Sequence, residues 1–485
     1  MTNPMNKQLR RVALVVGLLF FALLINLTYT AVVRQPSLED NPRNTRAREA
    51  DFDRQRGQIL ASATVVADTV PAPEGDEFTW QRVYTDGPLY AQVTGFFSWI
   101  YGTSGLEQSQ NTLLSGTDSR QAWERLVDLA SGRTPAGASI TTTIDPVLQQ
   151  AASDALGDDT GAVVALDPHT GAIKALVSHP SYDPSTLASH DVDAVMTAWE
   201  SLLADPASPM SDRASREIYP PGSTFKVITA AAALEAGYTP DSLIDTPSEL
   251  PYPNSNEVLT NSSDCGDSQV TLQYAFTASC NTAFANLGLA LGAEELAAMA
   301  SAFGFGTDPL DDLGAAASQF PDLDPSDPDE AAQLMRAAIG QGDVAASALQ
   351  MAMVSAAVVN EGTLAQPYLV SEARAPDLSL LRSHQTETST VMSQASAQTL
   401  EQLMIGVVEE GTGTPARIWG VTVGGKTGTA QSDPSRPPYA WFTGFATDPD
   451  LVVAVFVENT GGANTEVAGG STAGPIARAV LQAGR

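Results

Sequence analysis

The stretch PPGSTFKVITAAAALEAG, residues 220–237, combines a helix start with a candidate nucleophile. Two prolines and a glycine ahead of an alanine-rich run are typical of a helix N-terminus. Ser223 and Lys226 then lie three residues apart and share one face of that helix. A serine hydroxyl is a weak nucleophile until a base takes its proton, and a desolvated neutral lysine can be that base. The backbone N–H groups of a helix start also stabilise negative charge near Ser223.

Lysine is rare in this chain, which draws attention to the few positions that have it. Only four of the 25 basic residues are lysines: Lys7, Lys174, Lys226 and Lys426. Arginine stays protonated in proteins, whereas the pKa of a buried lysine can be lowered until it acts as a base. Lys7 precedes an apolar run and Lys174 falls in a predicted strand, so Lys226 and Lys426 are the candidates for chemistry.

The second of these lysines lies in GGKTGTA, residues 424–430. We expect this segment to form an edge strand facing a cleft, in which Gly428 leaves room for a substrate backbone. The hydroxyls of Thr427 and Thr429, close to the charge of Lys426, suit a substrate carboxylate. A phosphate-binding loop is the alternative, but no strand–loop–helix frame follows the Gly-Lys-Thr sequence. A third short element, Ser279-Cys280-Asn281, is by itself typical of a helix cap.

Around these motifs the pattern of apolar residues predicts an α/β (α+β) unit. Residues 161–178 read as a hairpin, and residues 441–446 and 451–459 as two further strands. Helical patterns occupy the sequence between and before them, at residues 145–157, 224–236, 281–302 and 345–358. Strands at both ends with helices between them predict a mixed or antiparallel sheet. Upstream, residues 59–70 and 79–84 favour strands of a structural or partner-binding unit.

Residues 12–33 form an uncharged apolar run that is long enough to span a bilayer as a helix. Lys7, Arg10 and Arg11 precede the run and Arg34 follows it, which predicts a cytoplasmic N-terminus and an exported remainder. A cleaved signal peptide is the alternative, although its apolar core is usually only about 7–15 residues. The formal net charge of −31 makes nucleic acid an unfavourable partner. The four histidines show no metal-binding spacing, so we expect no metal site.

Taken together, the three motifs resemble those of the penicillin-binding protein and serine β-lactamase superfamily, and they occur in the order typical of that family: Ser223-x-x-Lys226, Ser279-x-Asn281 and Lys426-Thr427-Gly428. The middle motif departs from the Ser-Asp-Asn form at Cys280, a position that carries none of the chemistry. Other segments are similar to the transpeptidase subgroup and extend the resemblance towards the N-terminus: IGQGD (339–343), LQMA (349–352), GTGT (411–414), RGQI (56–59) and YGTSGLE (101–107). The chain is identified as a class B penicillin-binding protein, most similar to the actinobacterial A type.

This resemblance implies a fold and a domain order. It implies a serine β-lactamase/transpeptidase-like domain over residues 143–485 and a β-rich pedestal, or dimerisation-like, domain over residues 34–142. A single transmembrane helix at 12–33 and a cytoplasmic tail at 1–11 complete the expected order. The protein is therefore expected in the cell membrane, with its catalytic domain outside the cytoplasm.

The resemblance also implies roles for individual residues. Ser223 attacks a D-Ala-D-Ala peptide stem and Lys226 accepts its proton. Ser279 and Lys426 relay a proton to the departing D-Ala, and Asn281 holds the donor amide. Thr427, Gly428 and Thr429 bind the substrate, and the backbone N–H groups of Ser223 and Thr429 form an oxyanion hole. No cofactor is expected.

The expected partners follow from the same resemblance. They are peptidoglycan stem peptides, β-lactam antibiotics, a SEDS-type glycosyltransferase of the RodA/FtsW family, and proteins of the cell-division or cell-elongation machinery. An exported setting permits a disulfide, and we predict one between Cys265 and Cys280. Two buried thiols are the alternative.

Other functions remain open on the sequence. A D,D-carboxypeptidase or a β-lactamase would use the same acyl-enzyme and differ only in whether water or an amine resolves it. A non-catalytic scaffold for cell-division proteins ranks lower, because it has no need of Ser223, Lys226 and Lys426. A β-lactam sensor ranks lower too, since we expect no cytoplasmic output domain in the short segment before residue 12.

Overall fold

The computed structural model describes residues 4–32, 34, 51–121, 136–266, 268–324, 327–431, 436–460 and 467–485. The described α-helices are α1 Pro4–Val32, α2 Gly87–Thr94, α3 Gly105–Ser109, α4 Asn111–Leu114, α5 Pro146–Leu156, α6 Ser185–Ala188, α7 Val192–Ala204, α8 Lys226–Glu235, α9 Leu272–Thr277, α10 Asn281–Leu291, α11 Ala293–Ala302, α12 Pro328–Ala337, α13 Ala348–Val359, α14 Gln394–Glu409 and α15 Gly474–Ala483.

The strands are numbered in the same way. They are β1 Ile59–Ala61, β2 Thr64–Pro71, β3 Trp80–Tyr84, β4 Phe97–Ser98, β5 Gly102–Thr103, β6 Ser139–Thr142, β7 Thr160–Leu166, β8 Ile173–His179, β9 Leu243–Asp245, β10 Glu249–Pro251, β11 Val258–Thr260, β12 Gln269–Thr271, β13 Thr363–Ala365, β14 Val370–Arg374, β15 Leu380–Ser383, β16 Thr388–Thr390, β17 Val423–Ala430, β18 Tyr439–Thr447 and β19 Asp450–Asn459.

The C-terminal unit is built on a five-stranded antiparallel sheet in the order β17-β18-β19-β7-β8. The predicted hairpin at 161–178 and the two predicted C-terminal strands are confirmed. Strand β19 is apolar at nearly every position because both faces of the sheet are covered. Val452, Ala454 and Phe456 pack into the core that contains α13, whereas the residues between them pack against α5 and α15. Strand β17, which carries Lys426, lies at one edge of the sheet, as predicted.

The predicted helices are present, with one break. Asp145 accepts hydrogen bonds from the backbone N–H groups at the start of α5, so the predicted cap is confirmed. The helical pattern at 281–302 is split into α10 and α11 at Gly292, where φ is 90°. Helix α8 is buried from Lys226 to Leu234, which places the lysine of the first motif inside the domain.

The N-terminal unit differs from the prediction in two ways. Residues 59–70 were expected as one strand, but Ser62 adopts a φ of 52° and folds them into the hairpin β1–β2. The sheet has six strands in the order β15-β14-β6-β1-β2-β3. Two of these strands, β14 and β15, come from far along the chain, beyond residue 143. Strand β14 pairs antiparallel with β6. Residues beyond 143 therefore contribute two strands to the sheet of the N-terminal unit.

A buried ion cluster lies inside the N-terminal unit. Glu107 is fully buried and accepts hydrogen bonds from Arg56 Nε at 2.5 Å and Arg82 Nε at 2.6 Å. Burial alone would raise the pKa of Glu107, but the two guanidinium groups hold it below its ordinary value. Arg56 also donates to the Glu107 carbonyl at 2.7 Å. The RGQI and YGTSGLE segments thus meet in space around one carboxylate.

We expect Glu107→Gln to lower the free energy of unfolding by about 3–5 kcal/mol, because it leaves two buried guanidinium groups without a counter-charge. Urea unfolding of the full-length protein, followed by tryptophan fluorescence and far-UV circular dichroism, measures the change. Glu74 lies exposed in a loop, so Glu74→Gln serves as the matched control. If Glu107→Gln lowers the free energy of unfolding no more than Glu74→Gln does, Glu107 is not the counter-charge that stabilises the two arginines.

Helix α1 contains an apolar segment, Leu9–Thr30, of 22 residues with a mean hydropathy of 2.4. None of that segment is buried against the rest of the described chain. By length and composition the helix is able to cross a membrane, although a signal sequence meets the same criteria. Residue 33, the predicted end of the span, lies outside the described residues.

Candidate active site

Ser223 lies in a single 3₁₀ turn, Gly222–Phe225, that leads directly into α8. Gly222 adopts a positive φ of 55°, and a Cβ there would lie 2.8 Å from the carbonyl oxygen of Thr429. Its N–H donates to the Gly340 carbonyl at 2.8 Å. Gly340 is equally constrained, since a Cβ there would lie 2.1 Å from the Gly222 carbonyl oxygen. The IGQGD segment therefore packs against the back of the nucleophile turn.

Four of the predicted site residues form one hydrogen-bonded group, in which two lysines share the hydroxyl of Ser279. Lys426 Nζ donates to Ser279 Oγ at 2.9 Å, and Lys226 Nζ lies 3.3 Å from the same atom. Lys226 Nζ also donates to the Ser279 carbonyl and to Asn281 Oδ1, both at 2.8 Å. Both lysines are fully buried. The structure thus unites residues that are up to 200 positions apart in the sequence.

Ser223 is half-buried and precedes Lys226 by three residues. Its turn packs closely against β17: a Cβ on Gly428 would lie only 3.1 Å from the Thr224 nitrogen. In the part of the chain that the structure describes, no hydrogen bond is formed by the Ser223 hydroxyl. Its hydroxyl is therefore not held by another side chain or by a backbone group of that part.

Ser279 has a backbone conformation that the sequence did not reveal. Its φ is 61°, in the left-handed region that non-glycine residues rarely adopt. It is the conformation of a helix C-terminal cap: the Ser279 N–H donates to the Phe276 carbonyl at 3.2 Å and the Cys280 N–H donates to the Ala275 carbonyl at 2.8 Å, which closes α9. Here it turns both oxygens of one residue towards the lysines, the carbonyl to Lys226 and the hydroxyl to Lys426. The capped end of α9 therefore presents both oxygens of Ser279 to the two amines.

Burial changes the protonation of both lysines. It lowers the pKa of Lys226 well below the ordinary value, and the neighbouring charge of Lys426 lowers it further. Burial lowers the pKa of Lys426 to about 7. A neutral amine at Lys226, one turn from Ser223, is a competent proton acceptor.

We expect the rate of acylation by a penicillin to fall as the pH is lowered. Only neutral Lys226 accepts a proton, so the rate is full above its lowered pKa and is lost as the pH falls through that value. Timed labelling with a fluorescent penicillin across the acid and neutral range measures the profile, with circular dichroism to confirm that the fold persists. A rate that is constant or rises on acidification contradicts a lysine base.

The residues after Lys426 have different surroundings. Room for a substrate backbone at Gly428 stays a prediction, and the structure adds a second reason for the glycine, because a Cβ there would lie 2.6 Å from the Pro221 carbonyl oxygen. The glycine is required because the nucleophile turn packs against it. Thr427 is buried and its hydroxyl lies 2.5 Å from that of Thr412, which explains the GTGT segment. Thr429 is exposed, and its hydroxyl accepts from the Gly469 N–H at 3.2 Å.

The segment around Asn281 is fixed from two directions. Cys280 forms a disulfide with Cys265, with the two Cα atoms 5.8 Å apart. Asn281 Nδ2 donates to the Thr260 carbonyl at 3.0 Å, while its oxygen is taken by Lys226. Residues 258–266 are thereby tied to the middle motif. Both ends of the Asn281 amide have protein partners before any substrate binds.

We expect the variant carrying both Cys265→Ala and Cys280→Ala to lose about 3 kcal/mol of stability, because the disulfide closes a loop of 15 residues. Acylation by penicillin is expected to slow as well, since the loop no longer fixes Ser279. Reduced wild type should match the variant, and the variant itself should be insensitive to reductant. Two alkylatable thiols in the unreduced wild type contradict the disulfide.

Comparison with known proteins identifies the family to which the chain belongs. The penicillin binding protein transpeptidase domain family matches residues 161–482, and the penicillin binding protein A dimerisation domain family matches residues 56–140. The chain is similar to the peptidoglycan D,D-transpeptidase PbpA of Mycolicibacterium smegmatis, with 44% identity over 99% of both chains. It is also similar to PbpA of Mycobacterium tuberculosis, with 43% identity over 99% of both chains.

Solved structures agree with these matches. Penicillin-binding protein A from M. tuberculosis, solved as a ceftriaxone acyl-enzyme, superposes with a TM-score of 0.84 and 41% identity, covering 90% of this chain and 99% of that one. Its penicillin G acyl-enzyme gives a TM-score of 0.81 and 42% identity, covering 89% and 99%. The fold predicted from the motifs is confirmed. The chain therefore belongs to the penicillin-binding protein transpeptidase family and is similar along its whole length to the A-type members of mycobacteria.

Proposed function

We propose that this protein is a peptidoglycan D,D-transpeptidase that cross-links peptide stems through an acyl-enzyme on Ser223. The observation that carries the proposal is the pair of buried lysines that share Ser279 Oγ beside the nucleophile turn. In such a pair one amine can accept the proton of the nucleophile while the other supplies a proton to the leaving group, and acyl transfer requires both steps. The full-length relatives named above are themselves D,D-transpeptidases.

Acylation begins when Lys226 takes the proton of Ser223. The Ser223 oxygen then attacks the carbonyl carbon of the D-Ala-D-Ala bond, and the charge that develops on the carbonyl oxygen faces the backbone N–H groups of Ser223 and Thr429. Ser279 passes a proton to the departing D-Ala amine and is resupplied by Lys426, its donor at 2.9 Å. The C–N bond breaks and leaves an ester on Ser223.

Transfer reverses these proton movements. The amine of a second stem attacks the ester carbonyl and gives up a proton to the lysine pair, and Ser223 leaves with its own proton restored. β-Lactams enter by the first half of this sequence and remain as the ester. β-Lactam acylation of this chain then follows from the same Ser223 chemistry as the natural donor.

Substrate binding is assigned to the edge strand and to Asn281. The exposed hydroxyl of Thr429, with Thr427 and the charge of Lys426 behind it, suits the terminal carboxylate of the donor. Gly428 keeps this strand against the nucleophile turn. Asn281 is positioned to bind the donor amide by exchanging its bond to the Thr260 carbonyl for one to the substrate.

We place the protein in the cell membrane, with α1 as its anchor, the segment before it in the cytoplasm and the rest outside. Residues 34–142 form the pedestal and residues 143–485 the transpeptidase domain, with β14 and β15 lent to the pedestal sheet. The expected partner is a SEDS-type glycosyltransferase of the RodA/FtsW family, within the cell-division or cell-shape machinery. The resemblance to class B penicillin-binding proteins and the apolar helix support this placement.

The test is a donor and acceptor assay with the full-length protein in detergent. A donor stem ending in D-Ala-D-Ala is supplied with a second stem that carries a free amine, and products are separated by mass. We expect a cross-linked dimer together with released D-Ala, both blocked by penicillin. Release of D-Ala without a dimer indicates a carboxypeptidase, and rapid hydrolysis of the penicillin itself indicates a β-lactamase; either result overturns the proposal.

A further inference from the structure

Two phenylalanines lie under the two lysines of the active site. Lys226 Nζ lies over the ring of Phe284, 5.5 Å from its centroid. Lys426 Nζ lies over the ring of Phe276, 5.8 Å from its centroid. Both rings are fully buried, and their centroids are 6.1 Å apart. The two aromatic side chains flank Ser279 in the sequence, one at the end of α9 and one in the first turn of α10.

The face of an aromatic ring attracts a positive charge within about 6 Å, and the effect is larger where water is excluded. A buried lysine in purely aliphatic surroundings is held neutral so firmly that it becomes a weak base. A ring under Nζ stabilises the protonated form and offsets part of that penalty. The base then keeps enough affinity for the proton it must take from Ser223.

We propose that Phe284 is a positioning residue that raises the proton affinity of Lys226 through its ring face, with Phe276 acting in the same way on Lys426. This inference rests on the proposed function, because it assigns the rings a task within acylation at Ser223. Neither ring touches the reacting atoms in this assignment. Their effect reaches the reaction through the amines alone.

The other groups around Lys226 make the ring's contribution measurable. Its Nζ faces neutral acceptors on the middle motif, the Ser279 carbonyl and hydroxyl and Asn281 Oδ1. Lys426, on β17, is the charged group of the described residues that acts on the pKa of Lys226, and it acts against protonation. The two amines titrate as a coupled pair, so the acid limb of the rate profile reports the pair's lower apparent pKa. Changing only the charge distribution of Phe284 shifts that limb without moving either amine.

The experiment replaces Phe284 in the full-length protein by mono-, di- and trifluorophenylalanine through nonsense suppression. Fluorine withdraws the negative charge from the ring face and changes the volume little, so the variants are expected to fold. The acylation rate by a fluorescent penicillin is measured against pH for each protein. The same series at Phe303 is the matched control, since that ring is fully buried and no described lysine or arginine lies over it.

We expect the acid limb to move to lower pH in step with the number of fluorines, by about 0.5–1.5 pH units for the trifluoro variant. The plateau rate should fall in the same order, because a weaker base takes the proton more slowly. The Phe303 series should leave the limb in place. An unmoved limb, or a limb that moves to higher pH, overturns the role of Phe284. Failure of the unmodified protein to acylate at all refutes the proposed function instead.

Discussion

Ser223→Ala is expected to abolish covalent labelling by penicillin completely. Without the Oγ atom no ester forms on residue 223, and the hydroxyl of Ser279 is held by two lysines. The effect should be all or nothing, because this residue supplies the bond itself and not a contribution to its rate. Gel fluorescence after incubation with a labelled penicillin measures it.

The matched control is Ser153→Ala, in α5, where alanine favours the helix and the site is untouched. That variant should label like the wild type. Thermal unfolding of both variants shows whether the fold is kept. Labelling that persists in Ser223→Ala with an intact fold shows that another residue is the nucleophile and contradicts the assignment of Ser223.

Lys226→Met should slow acylation by about 10²–10⁴-fold, the usual contribution of a positioned base. Methionine keeps the unbranched apolar stem and removes only the amine. The residual rate should also lose its acid limb, because the group that titrates there is gone. Second-order rate constants for labelling, measured at several pH values, give both results.

Lys174→Met is the control for this change, since that lysine lies on β8, away from the motif residues. Its rate and its pH profile should match those of the wild type. A Lys226→Met variant that keeps the acid limb assigns the proton acceptor elsewhere. A variant that retains the full rate rules out a lysine base.

The sequence was sufficient for the catalytic motifs because their chemistry depends on residue type and local spacing. Ser223 and Lys226 lie within one turn, so their proximity follows from helix geometry alone. The scarcity of lysine then selected Lys426 without any knowledge of the sheet. Strands β7, β8, β18 and β19 were equally predictable, since runs buried on both faces are largely apolar.

What the sequence did not reveal depends on contacts between distant segments. The left-handed backbone of Ser279 closes α9 through local hydrogen bonds, but its contacts with two lysines from other elements have no local signal. The contribution of β14 to the pedestal sheet follows from a pairing with β6 across more than 200 residues. The close approach of Pro221 to Gly428 also has no local signal, since the two residues come from distant parts of the chain.

The position of the phenylalanines shows the same limit. Phe276 and Phe284 are unremarkable members of two apolar helix faces when read in sequence. Only the fold places one ring under each amine. A helix pattern predicts that such residues are buried, but which polar group they are buried against is a property of the tertiary structure.

Mapping the acylated residue tests the central claim most directly. The full-length protein is incubated with penicillin G, digested and analysed by tandem mass spectrometry, with Ser223→Ala treated in parallel. We predict a single penicilloyl adduct in the wild type, located on Ser223, and none in the variant. An adduct located on Ser279 or on any other residue, or a wild-type protein that carries no adduct, contradicts the account.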